Sequence, residues 1–208
     1  MLEIDEVRRA LRGREPARLA AGSLRRAAVA IVLGGGADSL ELLLIERAKR
    51  EGDPWSGQMA FPGGRLARGD ATARAAAERE TLEEVGLSLE RAEFLGGLGE
   101  LCGRLASPSD LAIAAFVFYE PAPGALAPNG EVSEAFWFPM RSLLDRERQV
   151  DFRVGTESGR LFPGVRVGEP AHQVVWGLTY RFLEALLSLL GQSFPARSGL
   201  PLHSRSDE

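Results

Sequence analysis

Cysteine, lysine and histidine are almost missing from this chain of 208 residues: Cys102 is the one cysteine, Lys49 the one lysine, and His172 and His203 the two histidines. A lone cysteine excludes an internal disulfide and a thiolate-rich zinc site, and it fits a reducing, cytoplasmic setting. The histidines have no partner at metal-ligand spacing. Long apolar runs are missing too. The longest, Leu111 to Tyr119, has nine residues, half of the ~18 a membrane span needs. No glycine-rich loop ends in Lys-Ser or Lys-Thr, which argues against P-loop ATPase or kinase chemistry. A net charge of −4 provides no basic field to recruit nucleic acid or an acidic membrane. The near-exclusive use of arginine reads first as biased genome composition and second as phosphate recognition by guanidinium forks.

What remains is an ordinary globular composition, 45% hydrophobic and 26% charged, enough for one domain with extensions. Residues 1–23 read as an N-terminal helical extension, with Leu2, Val7 and Leu11 at helical spacing. Residues 24–190 read as the main domain and 191–208 as a flexible tail rich in Ser, Pro and Gly. Within the domain, 27–33 and 40–45 are apolar runs joined by Gly34-Gly35-Gly36, predicting a strand hairpin. A short strand is expected at 58–61, closed by a Pro62-Gly63-Gly64 turn. Asp70 is the expected N-cap of a helix ending at Gly86. Strands follow at 92–101, 111–119 and around Phe136, then a hairpin at 150–154 and 161–167. A last helix is expected over 172–190, with Val175, Leu178, Phe182, Leu186 and Leu189 as its stripe. Strands mixed with two main helices make an α/β or α+β domain.

The chemistry concentrates in the first of those helices. At ~100° per residue, Glu80, Glu83 and Glu84 share an arc of roughly 100°. Like charges so placed repel, and a hard divalent cation would offset the repulsion; a solvated acidic face is the alternative. Arg74 and Glu78 pair on the opposite side. Arg79 falls four residues before Glu83 and can hold its carboxylate. The glycines of Pro62-Gly63-Gly64 either make a simple turn or let a ligand approach the backbone.

Residues 61–87 resemble the signature of the Nudix hydrolases, G-x5-E-x7-R-E-U-x-E-E-x-G-U with U aliphatic. Gly64, Arg79, Glu80, Glu83, Glu84, Gly86 and Leu87 match it. Asp70 stands where Glu is usual, eight residues instead of seven separate it from Arg79, and Thr81 replaces an aliphatic residue. The resemblance implies an α/β/α sandwich with a mixed sheet, and hydrolysis of a nucleoside diphosphate linked to a second group. It implies Glu80 and Glu84 as main ligands of Mg²⁺, with Mn²⁺ as a substitute. Glu83 would bind a further cation or help activate water, the Gly63 carbonyl would contribute a ligand, and Arg79 would orient the acids. Glu131 and Glu134 are candidates for the general base that some members carry on a later loop; they read equally as ordinary loop acids.

Leu43 to Ala48, Gly57 and Phe61 to Gly64 further resemble an extra motif of coenzyme A pyrophosphatases, as does Trp176-Gly177-Leu178-Thr179 opening the last helix. Ile45 stands for a usual Thr, and Asp53 lies near an expected cation. The implied substrate is coenzyme A or an acyl derivative. Arg47, Lys49 and Arg50 are then candidates for its 3′-phosphate, and Trp55 and Phe61 for its pantetheine arm. The alternatives are ADP-ribose, a nucleotide sugar or a dinucleoside polyphosphate, and, in another class, a non-catalytic binding or regulatory module. The expected partner is a small nucleotide; neither nucleic acid nor membrane is expected, and a homodimer is allowed without being indicated.

Overall fold

Strand β1, Arg25–Gly34, is apolar and buried along most of its length, the pattern of a strand covered on both faces. Alternation divides its side chains. Ala28, Ala30 and Val32 face one core, and Ile31 and Leu33 face the other. The structure, a computed structural model, describes residues 2–19, 25–37, 39–52, 55–103, 111–154, 159–169 and 172–196. Asp53 lies outside them, as does most of the expected tail.

Around β1 a mixed sheet assembles. Strand β6, Leu111–Glu120, runs parallel to it over ten paired positions. Strand β5, Glu93–Gly103, pairs antiparallel with β6 and forms an edge. On the other side β2, Glu41–Arg47, meets β1 at only two positions, Leu33–Leu42 and Gly34–Glu41. Beyond them the two strands part. The gap is filled by β3, Met59–Ala60, which pairs with β2, and by β4, Gly63–Arg65, which pairs with β1. Strand β7, Val132–Pro139, closes the far side of β2. The split between β1 and β2 is what makes room for a site. The expected hairpin is therefore present but short, and Gly63-Gly64, expected as a turn, forms a strand instead.

Helix α2, Ala73–Val85, covers one face of the sheet. It has no continuous apolar stripe and packs through Ala76, Ala77, Thr81 and Val85 onto Ala28, Ala30 and Val32. Small residues on both sides allow close approach. Thr81 is fully buried, and its hydroxyl donates to the Ala77 carbonyl at 2.7 Å, so the polar departure from an aliphatic residue is satisfied within the helix. The N-cap is Thr72, whose hydroxyl accepts from the Ala75 amide; Asp70, the expected cap, is used elsewhere. Gly86 ends the helix at φ +71°, as expected.

The opposite face carries α1, Ile4–Leu11, and α3, Gly177–Leu189. Ile4, Val7 and Leu11 are buried in the same core as Leu183, Leu186 and Leu187, so the N-terminal helix belongs to the main body and is not an appendage. Beside α3 a second sheet holds β8, Gln149–Arg153, β9, Leu161–Arg166, and β10, Val174–Trp176. Strand β10 lies where the last helix was expected to begin. Phe194 stacks on Tyr180 with ring centroids 4.3 Å apart, so the chain is still packed where a free tail was expected. With helices on both faces of a mixed sheet, the expected layered α+β architecture is present. No helix among the described residues is long and apolar enough to cross a membrane.

Candidate active site

Where β1 and β2 part, a cavity of about 690 Å³ opens between α2 and the start of α3. Its lining carries charged side chains and glycines, Arg47, Arg50, Gly63, Gly64, Arg65, Glu80, Glu84 and Glu131. Val29, Met59, Phe61, Ile113, Trp176 and Leu178 supply its apolar lining.

The acids reach this space from α2 because Glu80 and Glu84 lie one turn apart on the side facing the sheet, above the glycines of β4. A Cβ on Gly64 would collide with the Glu80 carboxylate, and one on Gly63 with the Ala28 carbonyl. Gly63 also sits at φ +153°, a conformation side chains rarely adopt. Its amide donates to Glu84 Oε2 at 2.8 Å. The Gly63 amide thus ties β4 to the acid face of α2.

The Glu84 side chain is 3% exposed. Burial pushes its carboxyl up to about 7 against the Gly63 amide and the Arg47 guanidinium, which favour the charged form, while Glu80 and Glu131 push it further up. Arg47 Nη1 lies 3.9 Å from Glu84 Oε1. The Glu80 carboxyl is also raised, chiefly by burial, with Arg79 opposing. Glu84 is buried and Glu80 partly so, and burial makes each carboxyl costly to ionise, a cost that a cation beside them would offset.

Glu83 does not join them. It is 54% exposed and turned onto Arg79, 2.9 Å away, so the expected three-carboxylate cluster divides into two acids inside and one outside. Arg79 does hold Glu83 as expected, but it binds more. Its Nε and Nη2 each lie 3.0 Å from the Asp70 carboxylate, Nη1 lies 3.0 Å from Glu80, and Nη2 donates to the Arg65 carbonyl. Asp70 is 6% exposed, and Arg79 foremost holds its carboxyl below the usual range. The arginine thereby fastens the turn after β4 to the acid face of α2. Arg74 and Glu78 form the expected pair, 3.2 Å apart and well away from the cavity.

The later acids separate. Glu131 lines the cavity and meets Arg50 Nη1 at 3.1 Å. Glu134 lies outside it: strand register sets Glu134 opposite Glu46 on β2, and Gln173 Nε2 donates to it at 2.6 Å. Lys49 also lies outside the cavity lining, whereas Trp55, Phe61, Arg47 and Arg50 are part of it. Sequence reasoning missed Arg65, which follows the glycines directly, and the apolar lining from Val29 and Ile113, while the motif Trp176-Gly177-Leu178-Thr179 lines the cavity throughout.

A divalent ion fits these donors. No three His, Cys, Asp or Glu side chains among the described residues converge closely enough to hold one alone. Mg²⁺ ordinarily needs only one or two carboxylates, its remaining positions being filled by water and substrate phosphate. Glu80 and Glu84, hard oxygen donors above glycines that leave room, meet that requirement.

The NUDIX domain family matches residues 23–156, and the chain belongs to the Nudix family. The uncharacterized Nudix hydrolase NudL of Citrobacter koseri is 31% identical over 159 residues, covering 72% of this chain and 75% of its own. An uncharacterized protein of Schizosaccharomyces pombe is 40% identical over 124 residues, 57% of this chain; that stretch spans only 37% of the yeast protein. The crystal structure of a Nudix hydrolase from Alicyclobacillus acidocaldarius shares the fold with TM-score 0.53 at 20% identity, over 85% of this chain and all of that one.

Proposed function

We propose that the protein is a Mg²⁺-dependent pyrophosphohydrolase of nucleoside diphosphate derivatives, with coenzyme A or an acyl-coenzyme A as favoured substrate. The observation that carries this reading is one cavity lined by two chemistries, acids and guanidiniums together with apolar side chains. A diphosphate flanked by an extended arm of methyls, methylenes and amides matches that combination.

In this reading Glu80 and Glu84 hold Mg²⁺ or Mn²⁺ beside the Gly63 backbone. Such an ion neutralises phosphate charge and acidifies water. Arg50 and Arg65 offer planar forks to the phosphate oxygens, the 3′-phosphate included. Arg47 stays beside Glu84 and keeps that carboxyl ionisable. Glu131, at the cavity edge, accepts a proton from the attacking water. Trp55 and Phe61 flank the path of the arm.

A substrate panel with Mg²⁺ or Mn²⁺ and products identified by mass tests this. The expected outcome is 3′,5′-ADP and 4′-phosphopantetheine from coenzyme A. Dephospho-coenzyme A loses one charge-assisted contact of ~1.5–3 kcal/mol, so its kcat/KM should be roughly 10- to 150-fold lower. Equal rates on the two, or a preference for ADP-ribose, would overturn the coenzyme A assignment and leave the hydrolase. No turnover of any substrate would favour the binding module.

A further inference from the structure

We propose that Asn129 is a positioning residue that fixes Glu131 relative to the metal-binding end of α2. The proposal rests on the reading of Glu131 as proton acceptor. It begins with a requirement of any helix: the last carbonyls of α2 have no partner within it. Gly86 N donates to the Leu82 carbonyl at 3.0 Å. The next three carbonyls are all met by one loop. Asn129 Nδ2 donates to Glu83 O at 2.8 Å, Asn129 N to Glu84 O at 2.9 Å, and Ala127 N to Val85 O at 2.8 Å.

The same carboxamide faces the other way as well. Asn129 Oδ1 accepts from the Glu131 amide at 2.7 Å, and Asn129 O accepts from Val132 N at 3.2 Å. One short planar group thus ties the backbone beside Glu84 to the backbone of Glu131. The double task explains the residue type. The bond to a carbonyl needs a donor and the bond to an amide needs an acceptor, and of the side chains this short only a carboxamide offers both in one rigid plane. Aspartate would lose the donor and leucine would lose both.

Two further contacts restrict Glu131 from its other side. Its carbonyl accepts from Ala48 N at 2.8 Å, and its carboxylate meets Arg50. Both Ala48 and Arg50 lie just after β2, so Asn129 is the link that registers Glu131 against α2 itself. Without the carboxamide, Ala127 N and Asn129 N still hold the loop to α2, but Glu131 loses its bond to that anchor and can shift while Glu80 and Glu84 stay in place above the glycines.

A double-mutant cycle separates positioning from mere scaffolding. The variants are Asn129→Ala, Glu131→Gln and the pair, assayed on coenzyme A with Mg²⁺ or on whichever panel substrate turns over fastest. Misplacing a catalytic group by about an ångström costs up to ~100-fold, so Asn129→Ala should lower kcat by about 10- to 100-fold with KM nearly unchanged. Mn²⁺ binding to the free protein, read by electron paramagnetic resonance titration, should stay within about 3-fold, because Asn129 bonds the backbone carbonyls of Glu83 and Glu84 and not the carboxylates that would hold the ion. In the Glu131→Gln background the same substitution should cost under about 2-fold, since residues acting as a unit are not additive. Additive losses, or a fall in Mn²⁺ affinity as large as that in kcat, would overturn the proposal and make Asn129 a support of α2 as a whole. A harmless Asn129→Ala beside a damaging Glu131→Gln sinks the proposal alone; a harmless Glu131→Gln sinks the proton-acceptor reading with it. If Asn129→Ala does not fold, Asn129→Ser, which keeps an oxygen, enters the same cycle under the same criteria.

Discussion

Helices α2 and α3 have thirteen residues each and cover opposite faces of the same sheet, yet they bury different kinds of surface. In α3 the buried side chains are Tyr180, Phe182, Leu183, Leu186 and Leu187. In α2 they are Ala76, Ala77, Thr81, Glu84 and Val85. The first helix closes a core with bulky apolar groups. The second lies close on alanines and uses one inward position for a carboxylate. On the proposed function the difference is a division of labour, with stability on the α3 side and chemistry on the α2 side, where a buried acid is costly to the fold.

Substitutions on the two helices should therefore fail in different ways. Leu183→Ala empties a fully buried position and should cost about 2–5 kcal/mol. For a chain of this size that lowers Tm by roughly 5–15 °C, while kcat of the folded fraction holds. Glu80→Gln should do the reverse: Tm within a few degrees, but kcat at least about 100-fold lower, which is ~2.7 kcal/mol of barrier. Calorimetry and single-substrate kinetics on both variants check the pair. If each lost stability and activity in proportion, the division of labour would not hold.

The buried acid can be tested by itself. A carboxyl raised to about 7 in the fold from about 4.3 in the unfolded chain binds protons more tightly when folded, so stability falls as pH rises between those values. The cost is fully present above pH 7. Glu84→Gln removes it and loses some attraction to Arg47, so the metal-free variant should gain on the order of 1–2 kcal/mol at pH 8 and almost nothing at pH 4 to 5. Thermal melts in EDTA across that range measure it. Saturating Mn²⁺ should then raise the Tm of the parent above that of the variant. A variant less stable than the parent in EDTA at pH 8 would show that the buried carboxylate is well compensated.

How far the sequence could be read follows the same boundary. The pairing of Glu80 with Glu84, the Gly86 stop and the Arg79–Glu83 contact depend on helical spacing, which is local, and they are present as read, whereas Glu83, expected beside the other two acids, is turned outward. Asp70 was misassigned because Asp is a good cap in general; Thr72, two residues nearer the helix, takes that place and frees Asp70 for Arg79. Strand β10 was hidden because Val175 continues the apolar spacing of α3, and periodicity alone does not separate a short buried strand from a helix start. Glu131 and Glu134 looked equivalent until strand register turned Glu134 to Gln173. The apolar lining was read only in part: Phe61 and the motif at Trp176 were named, but Val29 and Ile113 come from two other strands that nothing local connects to them.

The smallest effect is expected within α2 itself, between two arginines of equal charge. Arg74 is half exposed, pairs with Glu78 and lies over the Phe94 ring at 4.7 Å from its centroid. Exposed pairs of this kind contribute about 0–1 kcal/mol, so Arg74→Ala should leave kcat/KM within about 2-fold. Arg79 has contacts to Asp70, Glu80, Glu83 and the Arg65 carbonyl. Removing it frees the Glu80 carboxylate to move and leaves the buried Asp70 without its cation, which in turn loosens the turn that carries Arg65. A charge-assisted contact contributes ~1.5–3 kcal/mol, so Arg79→Ala should lower kcat/KM by at least about 10-fold. Arg79→Lys keeps the charge but not the fork that spans Asp70 and Glu80, and should recover only part of the loss. Steady-state kinetics on the three variants decide the matter. Full recovery with lysine would mean that Arg79 acts by charge alone, and equal losses at Arg74 and Arg79 would mean that the face of α2 on which a cation sits does not govern the site.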